Sequence, residues 1–244
     1  MRHSTFLIIA TVLAIALCSG CNSAPGQPRP ESKVLSPKKI VNFETLYQQN
    51  CAGCHGEQGG GGAAIGLNSQ VYLAIANDAT IRRVIADGVP QTAMPAFAQS
   101  SGGMLTDEQV NAIVTGIRTG WDRHSHMDFV PPSYAALAPG DPKHGAEAYA
   151  TYCSSCHGNA GQGGSRAGSI VDESYLPLVS DQYLRTIVIV GRPEIGHPDS
   201  RGDVPGRPMS QQDVSDVVAW LSAQRPKIPK QLYSSANSGA GGTK

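Results

Sequence analysis

Apolar side chains recur at two places along the chain with one spacing. Val110, Ile113, Val114 and Ile117 follow i, i+3, i+4, i+7, and so do Val214, Val217, Val218 and Leu221. That period puts each set on one face of a helix. Thr106 and Ser210 stand where N-caps belong, with Gln109 and Asp213 three residues on, which predicts a reciprocal cap at both helix starts. The correspondence continues upstream. "TIRRVIADGVP" matches "YLRTIVIVGRP", and "FETLYQQNCAGCHG" matches "GAEAYATYCSSCHG", with Tyr47 and Tyr149 each four residues before a cysteine. One helical unit is therefore written twice.

A third apolar stretch has no period. Phe6 to Leu17 is a run of twelve behind a short basic start, Arg2 and His3. It is too short to span a bilayer and has the length of a signal-peptide core. The run ends in "CSGC", which resembles a bacterial lipoprotein signal with Cys21 as the acylated residue; Cys18 stands where leucine is usual. The expected layout is a signal over 1–21, a Pro/Ser-rich tether over 22–42 and a helical domain over 43–125. A linker over 126–141, a second helical domain over 142–226 and a disordered tail over 227–244 complete it. The protein is expected outside the bacterial cytoplasmic membrane, on the periplasmic side, held by its N-terminal lipid.

Export changes the meaning of the cysteines. Once Cys18 leaves and Cys21 carries lipid, Cys51, Cys54, Cys153 and Cys156 remain, enough for two disulfides in an oxidising compartment. Their setting argues for other chemistry. They form "CAGCH" at 51–55 and "CSSCH" at 153–157, each followed by glycine. C-x-x-C-H is the attachment sequence of c-type haem: two sulfurs a helical turn apart bind the porphyrin, and the next histidine, His55 or His157, becomes the proximal iron ligand. A shared zinc site is excluded by the hundred or so residues between the pairs, and a redox dithiol by the missing βαβ pattern. Two covalently bound haem c groups are expected. Aromatic content of only 6% suits small domains whose core is filled by a bound group.

Each half resembles a small class I cytochrome c domain. The resemblance rests on a helix before the attachment motif, the motif itself, a loop such as "GVPQTAMPAF" and a closing helix such as "LTDEQVNAIVTGIR". It covers roughly residues 43–123 and 142–225. It implies a mostly α fold, two tandem small helical domains, in which the first and last helices of each cross near the haem.

The resemblance also implies Met94 as sixth ligand of the first iron, a soft neutral thioether that favours Fe(II). Met104 lies nearby but runs into a helix cap and is expected to pack beside Leu105. In the second half, aligning Gly88 with Gly191 and Pro90 with Pro193 puts His197 opposite Met94 and Met209 opposite Leu105. The distance from the proximal histidine agrees, 39 residues in one half and 40 in the other. His197 is the candidate ligand of the second iron, with Met209 as the alternative. Met209 also has N′ to N4 spacing to Val214, as Leu105 has to Val110, the spacing of a hydrophobic staple. A histidine ligand would set the second haem at the lower potential of the two. His124, His126 and His144 have no such placement.

Charge narrows the partners. Nineteen basic residues balance nineteen acidic ones, and residues 43–123 carry four basic against seven acidic side chains. No nucleic acid is expected, and no strong electrostatic steering. The function expected is electron transfer by a membrane-tethered dihaem cytochrome c, working with redox protein partners or a membrane respiratory or photosynthetic complex, rather than catalysis. The rival is a dihaem peroxidase-like enzyme, or a haem-based sensor, with a second haem that opens. Such an enzyme needs acid–base groups beside the iron, and only Glu194 is close in sequence.

Overall fold

The computed structural model describes residues 35–90, 92–123, 127–202 and 204–226. The signal, most of the tether, Cys21, His124, His126 and the tail lie outside the described residues. Pro37–Lys39, a single 3-10 turn, falls in a unit ending at Lys39, and the described residues from Ile40 on belong to one compact unit.

The described residues are helical, without strands. The first series is α1 (Phe43–Asn50), α2 (Ala52–His55), α3 (Gln70–Ile75), α4 (Asp78–Asp87) and α5 (Asp107–Trp121). The second is α6 (Pro142–Tyr152), α7 (Ser154–His157), α8 (Asp181–Val190) and α9 (Gln211–Ala223). Local chemistry explains the helix starts. Asn42 accepts from the Thr45 amide at α1, and Asp141 caps α6 with Pro142 at its first position, where the missing N–H costs nothing. Both predicted capping boxes form, Thr106 with Gln109 at α5 and Ser210 with Asp213 at α9. The apolar faces read from the sequence are buried as sets: Val110, Ile113, Val114 and Ile117 in one core, Val214, Val217, Val218 and Leu221 in the other.

In each series the first helix crosses the last against a glycine, because only a missing side chain lets the helices approach so closely. At the α1–α5 crossing, a Cβ on Gly116 would lie 2.0 Å from Cγ of Phe43. At the α6–α9 crossing, a Cβ on Gly145 would lie 2.0 Å from the Asp216 carbonyl oxygen and 2.8 Å from Cβ of Trp220. Phe43 and Gly145 occupy the same register, four residues before Tyr47 and Tyr149. Gly116 and Trp220 also share a register, six residues after Val110 and Val214. Large and small residues have exchanged helices between the two copies. The aromatic packing shifts accordingly. Trp220 stacks on Tyr149 with centroids 4.2 Å apart, whereas Trp121 meets Tyr47 edge-on at 4.9 Å.

The segment between the series is held from both sides. The Tyr134 side chain packs against the first core. Its carbonyl and that of Ser133 accept from Arg185 of α8, whose side chain is buried without a carboxylate and also reaches Ser215 Oγ at 3.1 Å. Gln182 donates to the Tyr134 carbonyl, and the Ser133 amide donates to Gln211. Three side chains thus satisfy backbone groups that a free linker would leave to water. The cores also touch. Val190, the last residue of α8, is buried in the first core, and Val71 and Ile75 of α3 pack against both.

Candidate functional site

The two attachment motifs fold alike. Cys51 ends α1 and Cys153 ends α6, each with its amide bonded to the carbonyl of the tyrosine four residues earlier. A one-turn helix follows, with the histidine amide bonded back to the first cysteine's carbonyl, so both cysteines and the histidine lie on a single turn. Burial, with the neighbouring thiol adding, pushes the Cys51 thiol up to about 11 and that of Cys153 to about 12. The tyrosines bind each turn to its helix, Tyr47 donating to the Gly56 carbonyl at 2.7 Å and Tyr149 to that of Gly158. The glycine after each histidine is required by conformation. Gly56 and Gly158 have φ of 83° and 79°, and a Cβ on Gly56 would lie 1.9 Å from the Gly60 carbonyl oxygen. The loop turns back there to meet the histidine.

That return fixes the imidazoles. His55 Nδ1 lies 2.8 Å from the Ile65 carbonyl oxygen, and His157 Nδ1 lies 3.0 Å from that of Gly168. A carbonyl only accepts, so Nδ1 carries the proton in both rings and Nε2 keeps its lone pair. Metal-binding histidines are oriented by such a bond from the other nitrogen. Burial lowers the pKa of His55, which favours the neutral, ligating form.

The loops after α4 and α8 also correspond in their main turn, with one difference: the His197 amide donates back to the Arg192 carbonyl, whereas the Met94 amide donates to Thr92 Oγ1. Each helix ends on a glycine with φ of 69°, Gly88 or Gly191. The Val89 amide donates to the Met94 carbonyl at 3.0 Å, and the Arg192 amide to the His197 carbonyl at 2.9 Å. A Cβ on Gly88 would strike the Pro95–Ala96 peptide, and one on Gly191 the Pro198–Asp199 peptide. Farther on, the Leu105 amide donates to Phe97 and the Met209 amide to Ser200. Met94 and His197 therefore hold the same backbone position, as do Leu105 and Met209. Met94 is half-buried on its loop. Met209 is 7% exposed and sits in the second core with Val214, as Leu105 sits in the first with Val110. Met104 does not pack beside Leu105 as expected. It is 80% exposed, because the turn at Gly102 and Gly103 points it away from the core that Leu105 enters.

In the second site two histidines come together. The rings of His157 and His197 have centroids 6.0 Å apart and planes inclined at 55°. Nδ1 of His197 is buried without a hydrogen-bond partner, which is costly for a ring nitrogen that a hydrogen bond or a metal would satisfy. Burial and the neighbouring His157 lower the pKa of His197. Two metal–nitrogen bonds of about 2 Å in line, with half a ring at each end, span about 6 Å, so the pair fits a single metal between the rings. His144 is exposed, 3.5 Å from Asp141. Glu194 is paired with Arg192 on its own loop. Among the described residues no cluster of three histidine, cysteine or acidic side chains is arranged to hold a metal ion by protein ligands alone. The donor sets here, two thiols with one or two imidazoles, match covalent haem.

Comparison with known proteins agrees with this geometry. The family model described as cytochrome c oxidase, cbb3-type, subunit III matches residues 39–115 and 140–221, more than half of the chain in two segments. The chain belongs to the cbb3-type subunit III family. Family membership implies covalent haem c, and the two matched segments each contain one attachment motif. A curated relative, the cbb3-type cytochrome c oxidase subunit FixP of Azorhizobium caulinodans, is 32% identical over 131 residues. That alignment covers 52% of this chain and 41% of the relative, so the chain spans well under half of that protein's length. Among solved structures, the Kuenenia stuttgartiensis reducing HAO-like protein complex matches with a TM-score of 0.43 and 18% identity, over 79% of this chain and 100% of that one. No helix among the described residues of this family member is long and apolar enough to cross a membrane.

Some contacts of the site leave no mark in the sequence. The acceptors for His55 and His157 are main-chain carbonyls of Ile65 and Gly168, which any residue would supply. Arg192, whose guanidinium reaches the carbonyls of Gly62 and Ala63, has partners some 130 residues away. The paired tyrosines were the one visible signal, repeated at the same offset from each motif.

Proposed function

We propose that the chain is a dihaem cytochrome c that carries electrons on the periplasmic side of the cytoplasmic membrane, with a membrane respiratory oxidase of the cbb3 type as its partner complex. Cys51 and Cys54 hold the first haem, and Cys153 and Cys156 the second. Each haem iron supplies reversible one-electron Fe(III)/Fe(II) exchange. The remaining chemistry belongs to this chain: His55 and Met94 bind the first iron, and His157 and His197 the second. The Ile65 and Gly168 carbonyls hold the proximal rings in the ligating tautomer. Two protein side chains that would ligate each iron would leave no position for a substrate, which favours a carrier over an enzyme. Residues 43–125 and 142–226 form the two haem domains, and the acylated Cys21 tethers them to the membrane.

The observation that carries this reading is the identical treatment of the two motifs, each histidine bound at Nδ1 by a carbonyl ten or eleven residues on. The partner rests on the family and on the relative's own description as an oxidase subunit. The test is a redox titration of purified protein, followed by optical and paramagnetic spectroscopy. Two covalent haems, both low-spin and six-coordinate when oxidised, with reduced protein reoxidised by membranes containing a haem–copper oxidase, are expected. A high-spin second haem that consumes peroxide or binds carbon monoxide would replace this reading with the enzyme or sensor.

A further inference from the structure

The loop bearing His197 is not held by its own half of the molecule alone. It leaves α8 after Val190, which is 3% exposed and buried in the first core. Two residues later Arg192 closes a small bridge, its amide donating to the His197 carbonyl and its carbonyl accepting from the His197 amide at 3.0 Å. The same residue turns its guanidinium across the seam. Nη2 donates to the Gly62 carbonyl at 2.6 Å and Nη1 to the Ala63 carbonyl at 3.1 Å, while Nε pairs with Glu194.

The segment it grips belongs to the first iron site. The Ala64 amide donates to the Cys54 carbonyl at 2.8 Å, and the Ile65 carbonyl accepts from His55 Nδ1. A Cβ on Gly62 would lie 2.2 Å from the Cys54 carbonyl oxygen, so this segment lies directly on the first attachment turn. Four consecutive residues thus meet Arg192 on one side and the first haem's cysteine and histidine on the other. A guanidinium suits such a task, since its planar fork satisfies two carbonyls at fixed angles where an ammonium acts as a point.

We propose that Arg192 is a positioning residue that couples the two iron sites, holding the His197 loop in ligating geometry by forking onto the backbone that orients His55. The proposal rests on the reading of His197 as the second iron's ligand. Without the fork the loop keeps its own backbone bonds and the Val190 anchor but loses its grip on the first attachment segment, and His197 spends part of its time off the iron.

Holoprotein carrying Arg192→Ala tests this. The expected result is a second haem that loses part of its ferric low-spin signal to a high-spin one, with the first haem's methionine band retained. Arg192→Gln, which keeps most of the stem and a single amide, is expected to show the same change, and it decides the matter if the alanine variant does not assemble. Two intact haems with unchanged ferric spectra and midpoints, whatever the loss of thermal stability, would reduce Arg192 to a packing contact and overturn the proposal. His197→Ala, measured beside them, separates the two ideas. If it alters the second haem while the Arg192 variants do not, only the coupling fails. If it alters nothing, the ligand assignment itself is wrong.

Discussion

His157 and His197 face each other with ring centroids 6.0 Å apart, although forty residues and a helix separate them in the chain. His197 occupies the backbone position that Met94 holds in the first half. On the proposed assignment the two irons would differ in one ligand, imidazole in place of thioether. Imidazole is the better donor to Fe(III), so the second haem should titrate at the lower potential.

Ligand substitutions should separate the two sites. The weak near-infrared band of ferric methionine ligation should report one haem per chain and vanish in Met94→Ala. Met209→Ala should leave it unchanged and cost about 2–5 kcal/mol through the lost core methionine. His197→Met should add a second methionine signal and raise the lower midpoint. Loss of a methionine signal from the second haem in Met209→Ala, with His197→Ala silent, would show the assignment to be inverted.

Haem stoichiometry offers a test that does not depend on ligand identity. Replacing both cysteines of one motif by alanine, Cys51 with Cys54 or Cys153 with Cys156, should reduce haem that survives denaturing electrophoresis to about one per chain, since each pair supplies both thioethers of one site. Haem extracted from the wild type by acidified acetone would mean that it is not covalently held.

Anchoring is checked by fractionation. Wild-type protein should partition into detergent, and Cys21→Ser should appear in the soluble periplasmic fraction or remain unprocessed. A lipoprotein N-terminus carries more than one acyl chain, enough for stable attachment. Recovery of wild-type protein entirely in the soluble fraction contradicts acylation.

The helix crossings predict unequal costs for one substitution. Gly116→Ala places its methyl group 2.0 Å from Cγ and 2.6 Å from Cβ of Phe43, a clash that turning the ring relieves only in part, whereas Gly145→Ala meets the backbone carbonyl of Asp216, which cannot move without shifting α9. Overpacking typically costs about 1–3 kcal/mol, set against about 1 kcal/mol of helix propensity gained. Both variants should be destabilised, Gly145→Ala at the upper end and Gly116→Ala less, measured by thermal or denaturant unfolding of the holoprotein. Phe43→Ala should relieve what strain Gly116→Ala brings. Equal stabilities for the two glycine variants would mean that the crossings are looser than they stand.

Much of this was legible in the sequence because it is local. Thr106, Gln109, Ser210 and Asp213 cap helices within one turn, and the apolar faces of α5 and α9 follow from period alone. The pairing of Met94 with His197 was legible too, since Gly88 and Gly191 fix a common origin for the count. Met104 was misread because its neighbour Leu105 points inward and the turn before them cannot be inferred from either residue. The grip of Arg192 on Gly62 and Ala63 had no signature, because a carbonyl acceptor is the same whatever residue carries it. The segment around Ser133 read only as a linker for a similar reason: the groups binding it, Arg185, Gln182 and Gln211, satisfy its backbone.

The exchange of Phe43 and Gly116 for Gly145 and Trp220 bears on how a duplicated chain finds its proper pairing. Two copies with the same crossing would offer each first helix two equivalent partners during folding, and misassembly between neighbouring repeats is a characteristic failure of such proteins. Here the wrong partners are mismatched. The first helix of one copy against the last of the other sets Phe43 on Trp220, which cannot close, and the converse pair sets Gly145 on Gly116, leaving a gap that costs on the order of several kcal/mol. Size at one crossing sorts otherwise interchangeable apolar faces, so each histidine is delivered to the ligand loop of its own copy.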